Sequence, residues 1–257
     1  MTDNERYIPA DGGQVYIRAF GAGAKTPILV LHGGPGFDHT LLLPVQELAR
    51  GRRVIFYDQL GSGKSDRPDD LSLWNVGRFV RELGQVREAL GLDRVILLGA
   101  SWGTILAVDY MLTEPAGVEA LILSSPCLSA RMWKEDADRL RLKLGAETQA
   151  LLLRHEAAGT TASEDYQSGV MKYIKRFACR LDPLPPVVLD AIAGANMQVY
   201  TYMWARASSI RRAPLRTTTA RATSAASGLP PCSPAAATTR RRQSPRAATN
   251  PSSRAPS

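Results

Sequence analysis

The sequence predicts an α/β fold, a mostly parallel and doubly wound sheet, with a helical segment inserted late in the chain. Three observations carry this. Short apolar runs at 27–31, 53–57 and 94–98 are unbroken by polar residues and bounded by turn residues, and 120–123 is a fourth. Runs of that kind are what strands look like when both faces of a parallel sheet are buried. Helical patterns alternate with these runs, which argues for strand–helix–strand units. After Ser125 the strand candidates stop, and the chain becomes charged and helical.

The elements follow in order. Residues 6–20 read as a hairpin, with Asp11-Gly12-Gly13 turning between two alternating strands. Helices are expected over 41–50, 74–90 and 102–112. The second is the best marked, with Val76, Phe79, Val80, Leu83, Val86 and Leu90 on one face. Beyond Ser125, helices are expected over 131–144, 147–157 and 164–180. A proline-rich connection at 181–188 follows, and then an apolar, helix-compatible stretch at 187–204. The expected organisation is a core in 1–127, a helical cap in 128–204, and a basic low-complexity tail in 205–257. Such insertions cover the carboxyl edge of the sheet, where ligands bind.

The chain has 257 residues, room for one large α/β domain or for a core with a small insertion. Cys127, Cys179 and Cys232 are widely spaced and odd in number, so neither a disulfide framework nor a metal site is expected. The first residues are polar and no apolar run is long enough to span a bilayer, so no leader and no membrane contact are expected. A cytoplasmic location is the simplest reading. The net charge of +8 comes from the tail: 205–257 holds ten arginines and no acid or lysine, and without it the chain carries −2. The basic charge therefore gives no reason to expect a nucleic-acid partner for the folded part.

Three motifs carry chemistry. Gly99-Ala100-Ser101-Trp102-Gly103 follows a buried strand and opens a helix, the setting of a nucleophile elbow in an α/β-hydrolase fold. Ser101 would stand at a helix N-terminus, where free N–H groups and the dipole favour a developing anion. The plain structural alternative is a serine in a tight strand–helix turn. His32-Gly33-Gly34-Pro35-Gly36 follows the strand ending at Leu31. A glycine-rich loop there lets the amides of Gly33 and Gly34, with that of Trp102, form an oxyanion hole. The alternative is a turn that needs glycine. His32, Pro35 and Gly36 read as structural parts of this loop, since His32 precedes the nucleophile and the fold orders its triad Ser, acid, His. The third motif, Tyr57-Asp58-Gln59-Leu60-Gly61-Ser62-Gly63-Lys64-Ser65, lacks phosphate-loop spacing and reads as a loop bordering the site, with Asp58 as a structural acid.

Residues 28–36, 54–68, 71–98 and 99–103 together resemble the proline iminopeptidase, or prolyl aminopeptidase, family of α/β-hydrolases. The resemblance covers 1–204. Thr104 departs from it, standing where the family often has a second glycine. The family implies a helical cap and a Ser-His-Asp mechanism that removes an N-terminal residue, preferably proline, from short peptides through an acyl-enzyme on Ser101. It implies no metal and no cofactor.

The mechanism needs a base for Ser101. The histidines are His32, His39 and His155, none follows His155, and the last acid in the chain is Asp190. The Asp and His of the expected triad are therefore absent. The tail reads as a frameshift product. Shifted by one base from Trp204, its codons permit Trp-Gly-Pro-Ser-Glu-Phe, then across 213–219 Gly-Thr-Leu-Lys-Asp-Tyr-Asp. Across 232–244 they permit Leu-Phe-Thr-Cys-Gly-Arg-Tyr-Asp-Glu-Ala-Thr-Pro-Glu, and across 249–257 Tyr-Gln-Ser-Leu-Val-Pro-Gly-Ala-Glu. These strings resemble the family in order and spacing. The catalytic Asp would fall at Thr239, the amine-binding acid at Ser208, and the catalytic His beyond Ser257. The chain as written is expected to be inactive, marginally stable and poorly soluble, with a disordered tail. Two other readings stand beside it: an esterase or lactonase on the same scaffold, and a non-catalytic protein whose arginine tail binds nucleic acid.

Overall fold

The structure, a computed structural model, describes residues 4–209. The out-of-frame strings at 213–219, 232–244 and 249–257, the expected position of the triad Asp at Thr239, and the expected disorder of the tail lie outside the described residues.

Six strands form one sheet in the order β1-β2-β4-β3-β5-β6. They are β1 (Asn4–Ala10), β2 (Gly13–Phe20), β3 (Lys25–Leu31), β4 (Arg52–Tyr57), β5 (Val95–Ala100) and β6 (Val118–Ser124). β1 and β2 make the expected hairpin, and β2 pairs antiparallel with β4. β4, β3, β5 and β6 are parallel. The chain runs from β3 outward to β4 and then returns to the other side of β3 as β5. The order thus reverses between β3 and β5, and the strand ends at such a reversal are where open α/β sheets bind ligands.

Alternation along the central strands explains both layers. Leu29, Leu31, Ile55, Tyr57, Val95 and Leu97 face one side, against Phe79, Leu83, Val86 and Leu106 of helices α1 (Val76–Ala89) and α2 (Trp102–Met111). Ile28, Val30, Val54, Phe56 and Leu98 face the other, against Leu42, Leu43 and Val45. α1 begins where Asn75 caps it, its side chain accepting from the Arg78 N–H at 2.9 Å. The stretch expected as a helix over 41–50 is instead 3₁₀ turns, Thr40–Leu48, with Pro44 inside. Proline lacks the N–H that an α-helical ladder needs.

β6 differs from the other parallel strands. Among the described residues it pairs on one side only, with β5. Leu121 and Ile122 are 37% and 40% exposed, although the strand is as apolar as β3 or β5.

Five helices follow: α3 (Ala130–Arg141), α4 (Ala146–Ala158), α5 (Glu164–Tyr173), α6 (Pro186–Gly194) and α7 (Met197–Ser209). α5 passes into wider turns at Ile174–Ala178. The apolar stretch 187–204 is two helices, separated at Ala195 and Asn196, and the second continues past Trp204 to Ser209. Between α3, α4, α5 and α7 lies a cavity of about 630 Å³, with Trp133, Arg141, Glu156, Tyr166, Tyr173 and Trp204 among its walls. Arg141 pairs with Glu156 at 3.0 Å, and the Tyr166 hydroxyl donates to the same carboxylate at 3.0 Å. No helix among the described residues is long and apolar enough to cross a membrane.

Candidate active site

Ser101 is the single residue between β5 and α2, with φ 51° and ψ −117°. A non-glycine residue rarely takes this conformation, which costs of order 1–3 kcal/mol and persists where its surroundings impose it. The surroundings here are specific. The Ser101 N–H donates to Ser124 O at 3.1 Å. Its carbonyl accepts from the Thr104 N–H at 2.9 Å and from the Thr104 hydroxyl at 2.6 Å. The same hydroxyl oxygen accepts from the Cys127 N–H at 2.9 Å, so Thr104 ties the turn to the segment leading into α3. The hydroxyl does work here that a glycine at 104 has no atom to do.

The flanking glycines are required by close approach. A side-chain carbon at Gly99 would overlap the backbone of Gly103. One at Gly103 would overlap the Leu31 carbonyl and sit 2.9 Å from that of His32. Helix α2 therefore lies directly on the end of β3. Because Leu31 pairs with Gly99 across the sheet, the His32–Gly36 loop leaves β3 beside Ser101. A side-chain carbon at Gly33 would sit 3.4 Å from Ser101 Cβ and 4.0 Å from its Oγ. Gly33 and Ser101 are thus brought together, and the Trp102 N–H opens the first turn of α2 beside them, without an intrahelical acceptor.

His32 is fully buried, and both ring nitrogens are engaged. Nε2 accepts from the Gln59 N–H at 2.9 Å, so the proton lies on Nδ1, which donates to Gly33 O at 2.8 Å. Burial holds the imidazole below its ordinary pKa, against the pull of Asp58. Gln59 also donates to His32 O at 3.1 Å and accepts from Trp102 Nε1 at 2.8 Å, which joins the loop to the helix after Ser101. Pro35 and Gly36 are buried in the same loop. Asp58 is buried with both oxygens in use. One accepts from His39 Nδ1 at 2.8 Å and from the His39 N–H at 3.0 Å, the other from the Lys64 N–H at 3.0 Å. Burial raises the Asp58 pKa, but the His39 hydrogen bond and the nearby imidazoles outweigh it, and the net shift is downward. This carboxylate fastens two loops together.

The other two histidines do not bond Ser101 either, although the Nε2 of each is left without a hydrogen bond. His155 lies in α4 and shares Nδ1 with the Thr160 and Ser163 hydroxyls, at 2.8 and 3.1 Å. His39 is committed to Asp58, with its ring between those of Tyr16 and Phe56. No histidine among the described residues is hydrogen-bonded to Ser101. No group of three or more His, Cys, Asp or Glu side chains among the described residues is placed to hold a metal ion.

Three participants were not singled out from the sequence. Gln59 lies within the Tyr57–Ser65 motif, next to Asp58. Asn196, just before α7, and Trp204 within it reach the glycine loop: the Asn196 N–H donates to Gly36 O at 2.8 Å, and Trp204 Nε1 donates to Gly34 O at 3.0 Å. Nothing local in the sequence marks a partner some 160 residues away.

Residues 26–214 match the α/β-hydrolase fold family. The proline iminopeptidase of Heyndrickxia coagulans is 46% identical over 202 residues, which are 78% of this chain and 70% of that protein. The chain belongs to the proline iminopeptidase family. A second member, from Lactobacillus delbrueckii subsp. lactis, is 39% identical over 208 residues, 78% of this chain and 71% of its own. The crystal structure of the Mycobacterium smegmatis proline iminopeptidase superposes with a TM-score of 0.66 at 35% identity, covering 78% of this chain and 69% of that one. The polypeptide is a serine hydrolase of the proline iminopeptidase type, built on the α/β-hydrolase fold.

Proposed function

We propose that Ser101 is the nucleophile of an aminopeptidase that releases N-terminal proline from short peptides. The observation that carries this is the constrained turn at Ser101, set against Gly33 in a chain 46% identical to a proline iminopeptidase. The hydroxyl oxygen attacks the carbonyl carbon of the first residue. Its oxygen becomes anionic and takes hydrogen bonds from the amides of Gly33, Gly34 and Trp102. The peptide amine leaves with a proton, and water then cleaves the acyl-enzyme. His32, Pro35, Gly36 and Asp58 shape the loops and take no proton. Residues 1–127 form the core and 128–204 the cap. The setting is cytoplasmic, which suits the unpaired Cys127 and Cys179. No nucleic acid takes part.

Among the described residues the proton of Ser101 has no histidine to take it: His32 is held neutral with both nitrogens used, and His39 and His155, whose Nε2 atoms are left without a hydrogen bond, lie against Tyr16 and Phe56 and against Tyr166, with no bond to Ser101. The chain as written is therefore a site without its base, from a gene that lost one base at the Trp204 codon. Sequencing the gene should show a shortened run of G there, with a histidine codon in the restored frame downstream. Restoring the base should give Ser101-dependent release of proline from a proline arylamide. An intact run with no shift, or a restored, folded chain without activity, overturns the reading.

A further inference from the structure

We propose that Trp204 is a positioning residue, which holds the glycine loop from helix α7 so that its amides face Ser101. The proposal rests on the reading of Gly33 and Gly34 as oxyanion donors.

Three carbonyls of the glycine loop are anchored by separate donors: Gly33 O by His32 Nδ1 at 2.8 Å, Gly34 O by Trp204 Nε1 at 3.0 Å, and Gly36 O by the Asn196 N–H at 2.8 Å. The Gly33 and Gly34 N–H groups make no hydrogen bond to another described residue. In a trans peptide the C=O and the following N–H point in opposite directions. Anchoring Gly33 O therefore aims the Gly34 N–H away from His32. Gly34 sits at φ 117°, and its carbonyl belongs to the peptide with Pro35, which carries no N–H. The indole of Trp204 therefore aims no amide directly; it pins the point where the loop leaves Gly34 and so limits the swing of the Gly33–Gly34 peptide. Donors held in place beforehand need no reorganisation when charge develops, and that is where an oxyanion hole gains its effect.

Helix α7 is rigid enough for this. Asn196, Tyr200 and Trp204 are spaced four apart and share one face. Asn196 Nδ2 donates to Gly61 O at 2.9 Å, and Tyr200 meets Phe37 edge to face at 6.0 Å between ring centres. Val199 and Met203 are buried. A side-chain carbon at Gly36 would press on Asn196 O at 2.5 Å, so loop and helix touch backbone to backbone. Trp204 is itself stacked on Trp133 of α3, 4.5 Å between ring centres and 23° between planes. The indole is thus clamped on one face while its N–H reaches the loop.

Trp204→Phe keeps an aromatic ring against Trp133 and removes the donor. Two readouts on the full chain test the proposal. The first is the NMR order parameter of the Gly33 and Gly34 amides from ¹⁵N relaxation, with the β3 and β5 amides as the check on folding. The second is the rate at which Ser101 becomes acylated by the p-nitrophenyl ester of proline, with imidazole added as external base and Ser101→Ala as the blank. In that step the Ser101 oxygen bonds to the carbonyl carbon, p-nitrophenolate leaves, and imidazole takes the serine proton. We expect the Gly33 and Gly34 order parameters to fall from about 0.85 towards about 0.6, unchanged sheet amides, and about tenfold slower acylation, as for the loss of part of one oxyanion donor. Unchanged order parameters in the loop overturn the proposal, because the indole then does not hold it. A loosened loop with unchanged acylation overturns it through the oxyanion reading, as does a parent chain with no Ser101-dependent acylation. If Trp204→Phe does not fold, benzothienylalanine at 204 replaces the N–H by sulfur in the same shape and is read the same way.

Discussion

Two helical glycines should respond to alanine with opposite signs. Gly84 lies inside α1, and a side-chain carbon there would meet only Tyr110 Cε2, at an ordinary 3.9 Å. Gly103 lies in the first turn of α2, and the same carbon would overlap Leu31 O and press His32 O at 2.9 Å. Both substitutions gain helix propensity, worth about 1 kcal/mol in a helix interior. At Gly103 the obstacle is backbone at the end of a central strand, paired on both sides by β4 and β5, so it cannot yield like a flexible side chain. Overpacking of this kind costs typically about 1–3 kcal/mol and occasionally more, and at Gly103 it should exceed the propensity gain. Gly103→Ala should therefore lose about 2 kcal/mol or more, about 4–8 °C in Tm for a domain of this size. Gly84→Ala should gain up to about 1 kcal/mol. Urea unfolding followed by circular dichroism measures both. Equal midpoints for the two variants would refute the argument that α2 rests on β3 at Gly103, and with it the steric account of the elbow.

Two further outcomes follow from buried ionisable groups. His32 is buried with a depressed pKa, so the unfolded chain binds its proton more readily. The His32 contribution to stability is complete above the unfolded value near 6.5 and is lost as pH falls from there towards the folded value, with a slope of up to about 1.4 kcal/mol per pH unit. His32→Asn should lack that slope between pH 5 and 7, and a parallel pair of curves would contradict it. Arg78 and Glu82 form a buried ion pair at 2.5 Å, and the Glu82 carboxylate also accepts from the Leu60 N–H at 3.2 Å. Arg78→Ala leaves that carboxylate alone in the core and should cost about 3–5 kcal/mol, while an apolar replacement of both residues should cost much less. Denaturation of the single and double variants separates the cases.

The parallel strands and the glycine motifs were legible because single causes fix them. Burial on both faces makes the runs of β3, β4 and β5 apolar, and close approach at Gly99 and Gly103 admits no side chain. The 3₁₀ path of Thr40–Leu48 was hidden by its apolar spacing, although Pro44 was the available signal. The break before α7 was hidden because Asn196 reads as an ordinary helical polar residue, while its contacts to Gly36 and Gly61 are tertiary. Arg78 and Glu82 interrupt the apolar face of α1 four residues apart, and only packing shows that they face inward. The role of Gln59 between His32 and Trp102 depends on three segments meeting, which local spacing does not encode.

The central claim is a serine set for attack with no base to deprotonate it. The most direct measurement is hydrolysis of a proline arylamide by this chain, by its Ser101→Ala variant and by the Heyndrickxia coagulans relative, under one set of conditions. Loss of the base typically costs about 10⁴-fold or more in rate. The chain should fall at least that far below the relative and near its own Ser101→Ala variant. Ser101-dependent hydrolysis within about tenfold of the relative would contradict the claim, and would mean that a base reaches Ser101 from a part of the polypeptide not credited with one.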